Sequence, residues 1–359
     1  MSARVRTVGT QPSYPVHLGP GAIAELPMLL DEIAPGRHRR ALIDARFAEL
    51  YGRQLPAELM DTAIVLPRGE AAKSWERLGI VLELLGAAAL DRKCVLVALG
   101  GGATGDLTGL AASLYLRGVD FVQVPTTLLS QVDASVGGKT AVNLSVGKNL
   151  VGSFHQPLAV VADTALLATL TDDEFASGLG EVLKAGLLGA EGVLETLEQR
   201  TDLVRARDPE VLADLVDACV AHKAAIVATD EREAGARAQL NLGHTFAHAY
   251  ETELSHGAVA HGRAVALGLL QALELSKRHG LLSNDALIDR TRALSQRLGL
   301  PLGPADLQAD GLSPERLLAR MTHDKKSVGG DPRFVLLEDL GRPRWGVPVP
   351  RDIVLEVLA

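Results

Sequence analysis

A polar stripe in the second half of the chain has residue types and a spacing that could bind a metal. In RAQLNLGHTFAHAYE, residues 237–251, polar side chains recur four, three, four and three positions apart, at Arg237, Asn241, His244, His248 and Glu251. Residues with this spacing share one face of a helix. Because of Gly243, the sequence leaves open whether one continuous helix includes Asn241, but His244 and His248 share a helix face in either case. A solvated face usually carries Lys and Glu instead, so we favour a functional surface.

A metal site built on this stripe needs ligands from other segments. Without a glutamate after the first histidine, H-x-x-x-H is not the metalloprotease motif. Glu181 in GEVLKAG and His244 could be joined by His256 or His261, both in LSHGAVAHGRAV. Two histidines, one carboxylate and an open position are typical of catalytic zinc. Spacing alone also allows each histidine to be structural, and it does not choose between the last two.

A glycine-rich loop follows a strand-like run in the first half. VALGGGATGDL, residues 97–107, fits G-x-G-x-x-G, in which backbone N–H groups approach a pyrophosphate. No suitable acidic residue follows at the usual distance of about 20 residues, but Asp44 ends an earlier strand and could bind the ribose. A tight turn between strand and helix is the open alternative. VGGKT, residues 136–140, is not a P-loop, because Asp133 stands where its first glycine is needed.

Basic residues occur near the same segments. They are Lys139, Lys148, Lys184, Lys223, Arg237, Lys325 and Lys326. Each alone is most simply a surface charge. Beside a metal and a dinucleotide, they would suit a small substrate that carries phosphate and carboxylate.

The elements that must position these residues change in character along the chain. Five runs predict strands: RALIDA (40–45), TAIVLP (62–67), KCVLVALGG (93–101), DFVQVPTT (120–127) and LAVVADTALL (158–167). They alternate with helical stretches such as WERLGIVLELLGAAAL, which predicts a parallel sheet with helices on both faces. Thr171 and Glu174 have capping-box spacing, and helical periodicity follows to about residue 320. We therefore predict an α/β domain over 1–170 and a mostly helical domain over 171–359, with the site in the cleft between them.

Composition excludes several classes of protein. The chain has 359 residues, a formal net charge of −8 and 3% aromatic residues, which argues against a nucleic-acid partner. No apolar run approaches the roughly 20 residues that span a bilayer, and the N-terminus does not resemble a signal peptide. Cys94 and Cys219 are too few for a disulfide framework or a cysteine zinc cage. We expect a cytoplasmic protein with no membrane partner.

Taken together, these motifs resemble the 3-dehydroquinate synthase family. The matching segments, in the family's order from about residue 13 to 350, are LPRGEAAKS, GGGATGDLTG, YLRGVDFVQVPTTLLSQVDASVGGKTAVN, GKNLVGSFHQP, GLGEVLKAG, LNLGHTFAHAYE, HGRAV and DKK. The resemblance implies a Rossmann-like, NAD-binding first domain and a second domain that binds metal and substrate. It implies a homodimeric lyase of the shikimate pathway, dependent on NAD and on Zn²⁺ or Co²⁺. Such a lyase converts 3-deoxy-D-arabino-heptulosonate 7-phosphate into 3-dehydroquinate and phosphate.

The resemblance also assigns roles to individual positions. It implies metal ligands at Glu181, His244 and His261, and so favours His261 over His256. It implies NAD contacts at Asp44, Glu70, Lys73, Gly101, Gly102, Asp106, Thr126, Thr127, Lys139, Lys148 and Thr169. It implies substrate contacts at Arg117, Asp133, Lys139, Asn149, Lys184, Lys223, Arg237, Asn241, His248 and one of Lys325 and Lys326. His248 would also transfer a proton.

Three positions depart from the family pattern. Arg263 stands where Glu usually follows His-Gly, and we expect it to alter the surroundings of the metal. Arg46 replaces a residue that is often Asn, and Ala185 one that is often Tyr. Another sugar phosphate cyclase, such as 2-deoxy-scyllo-inosose synthase, is an alternative that typically differs at Asn241. A polyol dehydrogenase would not need so many cations, and a non-catalytic nucleotide-binding regulator would have lost its metal ligands.

Overall fold

The computed structural model describes residues 3–254, 258–283, 285–309, 311–322 and 332–359. The chain divides into two compact units. Unit 1 comprises Met1–Leu170 and Leu212–Ala228, and unit 2 comprises Thr171–Val211 and Thr229–Ala359.

Unit 1 is built on a seven-stranded sheet. The strands of this unit are β1 (Arg4–Val8), β2 (Tyr14–Gly19), β3 (Arg39–Asp44), β4 (Ile64–Leu66), β5 (Val95–Gly100), β6 (Asp120–Pro125), β7 (Lys139–Leu144), β8 (Gly147–Phe154) and β9 (Ala159–Asp163). Its helices are α1 (Leu26–Ile33), α2 (Ala45–Tyr51), α3 (Ala57–Met60), α4 (Trp75–Ala87) and α5 (Gly102–Leu114). The sheet order is β1-β2-β9-β6-β5-β3-β4, and β7 and β8 form a separate antiparallel hairpin. Only β1 and β2 pair antiparallel within the large sheet.

Both faces of the large sheet are covered, as predicted. Along β5, Val95, Val97 and Leu99 belong to one buried cluster, which also contains side chains of α1, α2 and α3. Leu96 points the other way, into a second cluster with side chains of α4 and α5. This alternation is the two-residue period of a strand that is buried on both sides.

The strand order creates a switch point at the carboxyl ends of β3 and β5. These strands are neighbours, but the chain leaves β3 toward β4 at one edge and leaves β5 toward β6 on the other side. Open parallel sheets bind ligands in the crevice at such a point. Asp44 ends β3, and Gly100 to Gly102 join β5 to α5.

The five predicted strands are confirmed, although most of them are shorter than the runs that predicted them. LAVVADTALL forms a strand only up to Asp163, whose carboxylate accepts a hydrogen bond from the N–H of Ala165 and starts a 3₁₀ turn. The sequence analysis did not predict β1, β2, β7 or β8. Edge strand β1 is mostly exposed and lacks a buried apolar face. Its Arg4 and Arg6 form ion pairs with Asp214 and Asp217.

Unit 2 is mostly helical, as predicted. Its helices are α6 (Asp172–Leu187), α7 (Val193–Gln199), α8 (Thr201–Arg205), α9 (Pro209–Thr229, of which Leu212–Ala228 belongs to unit 1), α10 (His244–Glu253), α11 (His261–Arg278), α12 (Ala286–Leu298), α13 (Pro314–Thr322) and α14 (Arg351–Leu358). A hairpin of β10 (Arg333–Asp339) and β11 (Arg342–Pro348) lies between α13 and α14. The predicted capping box is present at the start of α6, where Thr171 and Glu174 bond reciprocally. None of the helices in the described ranges has the length and apolarity that crossing a membrane would require.

Candidate functional site

Three candidate metal ligands come together in unit 2. Glu181 lies on α6, whereas His244 and His261 are the first residues of α10 and α11. One ligand atom from each lies within 4.8 Å of the other two. The Oε1 atom of Glu181 is 3.6 Å from Nε2 of His244 and 3.4 Å from Nε2 of His261. Tetrahedral zinc with bonds of about 2.0–2.2 Å separates its ligand atoms by about 3.3–3.6 Å, so this spacing fits a metal.

Close backbone contacts fix two of the three helices that carry these ligands, α6 and α11. A Cβ atom on Gly262 would lie 1.7 Å from the carbonyl oxygen of Ser177, and one on Gly180 would lie 2.0 Å from the carbonyl oxygen of Gly262. The N–H of Gly262 also donates to the hydroxyl of Ser177 at 2.9 Å. Glu181 and His261 are each adjacent to one of these glycines. The glycines therefore let α6 and the start of α11 approach closely enough for both side chains to meet.

The polar stripe is divided between two elements at Gly243. Arg237 and Asn241 lie in a 3₁₀ turn, Ala236–Asn241, and α10 starts only at His244. Gly243 has φ +78°, a left-handed conformation suited to glycine. The structure therefore decides the open question of helix continuity against a single helix. His244 and His248 do pair, with ring centroids 5.6 Å apart.

The outer nitrogen of each ligand histidine is engaged by an acceptor. Nδ1 of His244 lies 3.1 Å from the carbonyl oxygen of Leu242, and Nδ1 of His261 lies 3.3 Å from Oε2 of Glu251. Both Nε2 atoms therefore face Glu181. Burial lowers the pKa of His261, but hydrogen bonds to Glu181 and Glu251 outweigh it and raise the pKa to about 10.

Lys184 lies beside the metal-ligand candidates. Its Nζ is 2.5 Å from Oε2 of Glu181, and both side chains are buried. One carboxylate oxygen of Glu181 therefore faces an ammonium group and the other faces two imidazoles. An ammonium group held this close to a metal site could also contact an anionic substrate.

The loop before α10 is organised by the carboxylate of Asp230. It accepts hydrogen bonds from the backbone N–H groups of Ala234, Gly235 and Arg237 at 2.8, 2.8 and 2.9 Å. These bonds, led by the one from Arg237, lower the pKa of Asp230. The Arg237 guanidinium is buried and donates to the carbonyl oxygen of Glu231.

Two acidic residues near the site were not assigned a role by the sequence analysis. Glu233 has φ +57°, and its Oε1 accepts a 2.7 Å hydrogen bond from the amide of Asn241. Glu251 was recognised only as part of the stripe, and its contact with His261 depends on how α10 packs against α11. Glu233 lies in a loop and Asn241 in a 3₁₀ turn, so their contact depends on the loop conformation and no helical spacing rule would have selected Glu233.

The candidate nucleotide contacts of unit 1 gather around the switch point. Gly101 precedes α5, and a Cβ atom there would lie 3.1 Å from the Thr127 side chain. The N–H of Thr126 donates to the carbonyl oxygen of Gly100 at 3.0 Å. Asp44 caps α2, because its Oδ1 accepts hydrogen bonds from the backbone N–H groups of Arg46 and Phe47 at 2.9 and 3.2 Å.

Other candidate nucleotide contacts form polar pairs in unit 1. Lys73 makes a buried ion pair with Asp106 on α5. Burial lowers the pKa of Lys73, but the carboxylates of Asp106 and Glu70 together outweigh it and raise that pKa. Glu70 accepts a 2.7 Å hydrogen bond from Asn143 on β7. The guanidinium of Arg46, one of the positions that depart from the family pattern, donates to the carbonyl oxygen of Thr169 at 2.5 Å. Lys148 lies on β8.

The candidate substrate contacts of unit 1 are not all brought together. Lys223 forms an ion pair with Asp133 and donates to its carbonyl oxygen at 2.6 Å. Lys139 starts β7, and Asn149 lies on β8 with φ +55°. Arg117 is exposed in the turn before β6, at the amino-terminal edge of the sheet, opposite the glycine loop.

Two of the residues that depart from the family pattern, Arg263 and Ala185, lie in unit 2 near the three metal-ligand candidates. The guanidinium of Arg263 lies 3.3 Å from Oδ1 of Asp173 and 3.1 Å from the carbonyl oxygen of Asp306, so these groups engage it rather than the three metal-ligand candidates. Ala185 is buried within α6. Lys325, Lys326 and the alternative ligand His256 lie outside the described residues.

Comparison with known proteins gives matches over nearly the whole chain. Family models described as 3-dehydroquinate synthase N-terminal and 3-dehydroquinate synthase C-terminal match residues 63–177 and 178–327. A 3-dehydroquinate synthase from Nitrosospira multiformis is 44% identical over 354 residues, which cover 97% of this chain and 94% of the relative.

Two solved structures share the fold. One is a 2-epi-5-epi-valiolone synthase from Streptomyces hygroscopicus with NAD⁺ and Zn²⁺ bound, with a TM-score of 0.84 and 28% identity over 96% of this chain and 95% of the other. The other is a 2-deoxy-scyllo-inosose synthase complexed with carbaglucose-6-phosphate, NAD⁺ and Co²⁺, with a TM-score of 0.81 and 25% identity over 99% of both chains. The predicted fold class, an α/β domain with a helical domain, is confirmed.

Proposed function

The chain belongs to the 3-dehydroquinate synthase family, and on this premise we propose that it converts 3-deoxy-D-arabino-heptulosonate 7-phosphate into 3-dehydroquinate and phosphate. The observation that carries the proposal is the cluster of Glu181, His244 and His261 beside the buried Lys184, in a chain that is 44% identical to a synthase of this name over 97% of its length. NAD and Zn²⁺ or Co²⁺ are the proposed cofactors.

The residues of unit 2 fit a divalent metal. Two imidazole nitrogens and one carboxylate oxygen form a donor set that accepts Zn²⁺ and Co²⁺ alike. When bound, the metal would polarise a substrate hydroxyl. Glu181 and the two histidines would hold it, and Lys184 would keep one oxygen of Glu181 turned away from it.

The residues of unit 1 fit a dinucleotide. The first turn of α5 presents backbone N–H groups at the carboxyl end of β5, where the helix dipole favours a pyrophosphate. A Cβ atom on Gly101 would crowd the Thr127 side chain at 3.1 Å, so a larger residue there would have to displace it. Asp44, at the end of the neighbouring strand β3, is the residue that we propose binds the ribose. When bound, NAD would accept a hydride from the substrate and return it.

The proposed reaction has no net redox change. Oxidation of the C5 hydroxyl to a ketone makes the C6 proton acidic, and phosphate then leaves by elimination, with its own oxygen accepting that proton. Reduction of the ketone, ring opening and an intramolecular aldol closure complete the carbocycle. Proton transfer near the oxidised hydroxyl is the role proposed for His248, whose ring lies edge-on to His244.

Charged and polar side chains would hold the substrate in the reactive arrangement. In unit 2 these are Lys184, Arg237 and Asn241. In unit 1 they are Asp133, Lys139, Asn149 and Lys223. Arg117, Lys325 and Lys326 stay predictions from the resemblance, as do a homodimer and a cytoplasmic location.

The proposed activity is tested by supplying the purified protein with the heptulosonate phosphate, NAD⁺ and Zn²⁺ while phosphate and NADH are followed. Phosphate release that a chelator stops, without NADH accumulation, is expected. Glucose 6-phosphate is the matched control substrate, because the related 2-deoxy-scyllo-inosose synthase was crystallised with a carba analogue of it. Turnover of glucose 6-phosphate alone would move the chain to another cyclase, and NADH accumulation on a polyol would move it to the dehydrogenases.

A further inference from the structure

The two histidine ligands of the proposed metal site are supported by chemically different acceptors. His244 directs Nδ1 at the backbone carbonyl of Leu242, which is neutral and is only two residues away. His261 directs Nδ1 at the carboxylate of Glu251, which belongs to another helix. One imidazole is therefore oriented by its own local backbone and the other by tertiary packing against a charged side chain.

We infer that Glu251 is a positioning residue for the metal, acting through His261. This inference rests on the proposed function, because it requires the metal site. Glu251 lies on α10 seven residues after His244, two helical turns along the same face. Its side chain is buried, and Oε2 is 3.3 Å from Nδ1 of His261.

The contact matters more for His261 than a similar contact would for the other two ligands. The side chain of His261 is 32% exposed, compared with 10% for His244 and 1% for Glu181. Packing therefore restrains the His261 ring least. A hydrogen bond from Nδ1–H to Glu251 fixes the ring orientation and the tautomer, so that Nε2 keeps the lone pair that a metal needs.

Glu251 provides a carboxylate that residue 263 does not. Arg263 lies two residues after His261, and its guanidinium is engaged by the carboxylate of Asp173 and the carbonyl oxygen of Asp306. Glu251 approaches His261 from α10 instead. A carboxylate behind a ligand histidine raises the basicity of the imidazole, and removing such a partner typically costs about 10–100-fold in metal affinity.

The experiment compares metal binding by the wild-type protein, Glu251→Gln, Glu251→Asp and two control variants. Arg263→Gln changes a charged residue next to the site that does not contact His261. Glu253→Gln changes a second buried carboxylate of α10, one that is paired with Arg316 and Arg320 rather than with His261. Co²⁺ is titrated while its visible absorption bands are recorded, Zn²⁺ affinity is measured by competition with a chromophoric chelator, and circular dichroism checks folding.

We expect Glu251→Gln to bind Co²⁺ about 10–100-fold more weakly, with altered absorption bands, and Glu251→Asp to recover part of the affinity. Arg263→Gln and Glu253→Gln should keep the wild-type bands. Unchanged affinity and bands in Glu251→Gln would overturn the inference, and so would an equal change in Glu253→Gln, which would reveal a structural effect. A wild-type protein that binds no Co²⁺ would overturn the proposed function as well, so the two failures are distinguishable.

Discussion

Replacing Gly262 with alanine should uncouple the proposed metal ligands without touching any of them. The new Cβ atom would lie 1.7 Å from the carbonyl oxygen of Ser177, whereas ordinary contact begins at 3.4 Å, so the two backbones must separate by about 1.7 Å. His261 is the preceding residue and would move with α11, away from Glu181. Metal–ligand distances tolerate only about ±0.2 Å. We expect Zn²⁺ affinity to fall by at least about 100-fold, more than for loss of an outer partner.

Chelator competition for Zn²⁺ measures this effect, and circular dichroism confirms folding. Gly79→Ala is the control, because a Cβ atom there has nothing within 4 Å. Ser177→Ala is a milder second variant, since it removes the hydroxyl that accepts the hydrogen bond from the N–H of Gly262 without adding bulk. A folded Gly262→Ala protein that binds Zn²⁺ as tightly as the control would refute the proposed coupling of α6 to α11.

Three further predictions concern the buried ion pair, the pH dependence and the loop before α10. Lys73→Met removes the ammonium partner of Asp106 and should lower the free energy of unfolding by about 3 kcal/mol or more, measured by urea denaturation; an unchanged midpoint would contradict this. Zn²⁺ affinity should increase by up to about tenfold per pH unit between pH 6 and 9, because the pKa of His261 is raised to about 10 and its proton must leave before a metal binds. Chelator competition at each pH measures this affinity, and an affinity that does not change with pH would contradict the prediction. Asp230→Ala removes the acceptor of three backbone hydrogen bonds and should raise KM for the sugar phosphate through Arg237, in steady-state kinetics. A KM equal to that of the wild type would show that the loop keeps its conformation without Asp230. The pKa of Asp230 is lowered in the folded protein, so its contribution to stability is present above about pH 4 and is lost only as the pH falls through that lowered pKa.

Local signals in the sequence predicted several features that the structure contains. The capping box at Thr171 depends on residues three apart, and the strand that ends at Gly100 depends on a short apolar run. Both are present because nearest neighbours along the chain determine them. The presence of Gly243 also correctly left the continuity of the helix open, since this glycine, at φ +78°, separates the 3₁₀ turn that carries Arg237 and Asn241 from α10.

Features that depend on tertiary contacts were not accessible in the same way. Spacing could not choose between His256 and His261, because the contact of His261 with Glu181 depends on how α11 meets α6, some eighty residues earlier in the chain. The contact between Gly180 and Gly262 leaves no periodic trace in the sequence, and neither does the pairing of Glu251 with His261. Arg263 looked like a neighbour of the metal, but the direction of its side chain is set by Asp173 on another helix.

The central claim is that the chain carries out an internal redox cycle on a sugar phosphate. The most direct test supplies NAD⁺ far below the concentration of 3-deoxy-D-arabino-heptulosonate 7-phosphate, with Zn²⁺ present, and quantifies 3-dehydroquinate and phosphate by NMR. We predict many equivalents of 3-dehydroquinate per NAD⁺, with one phosphate released for each. Product that stops at the amount of NAD⁺ supplied, or phosphate release without a carbocyclic product, would contradict the account.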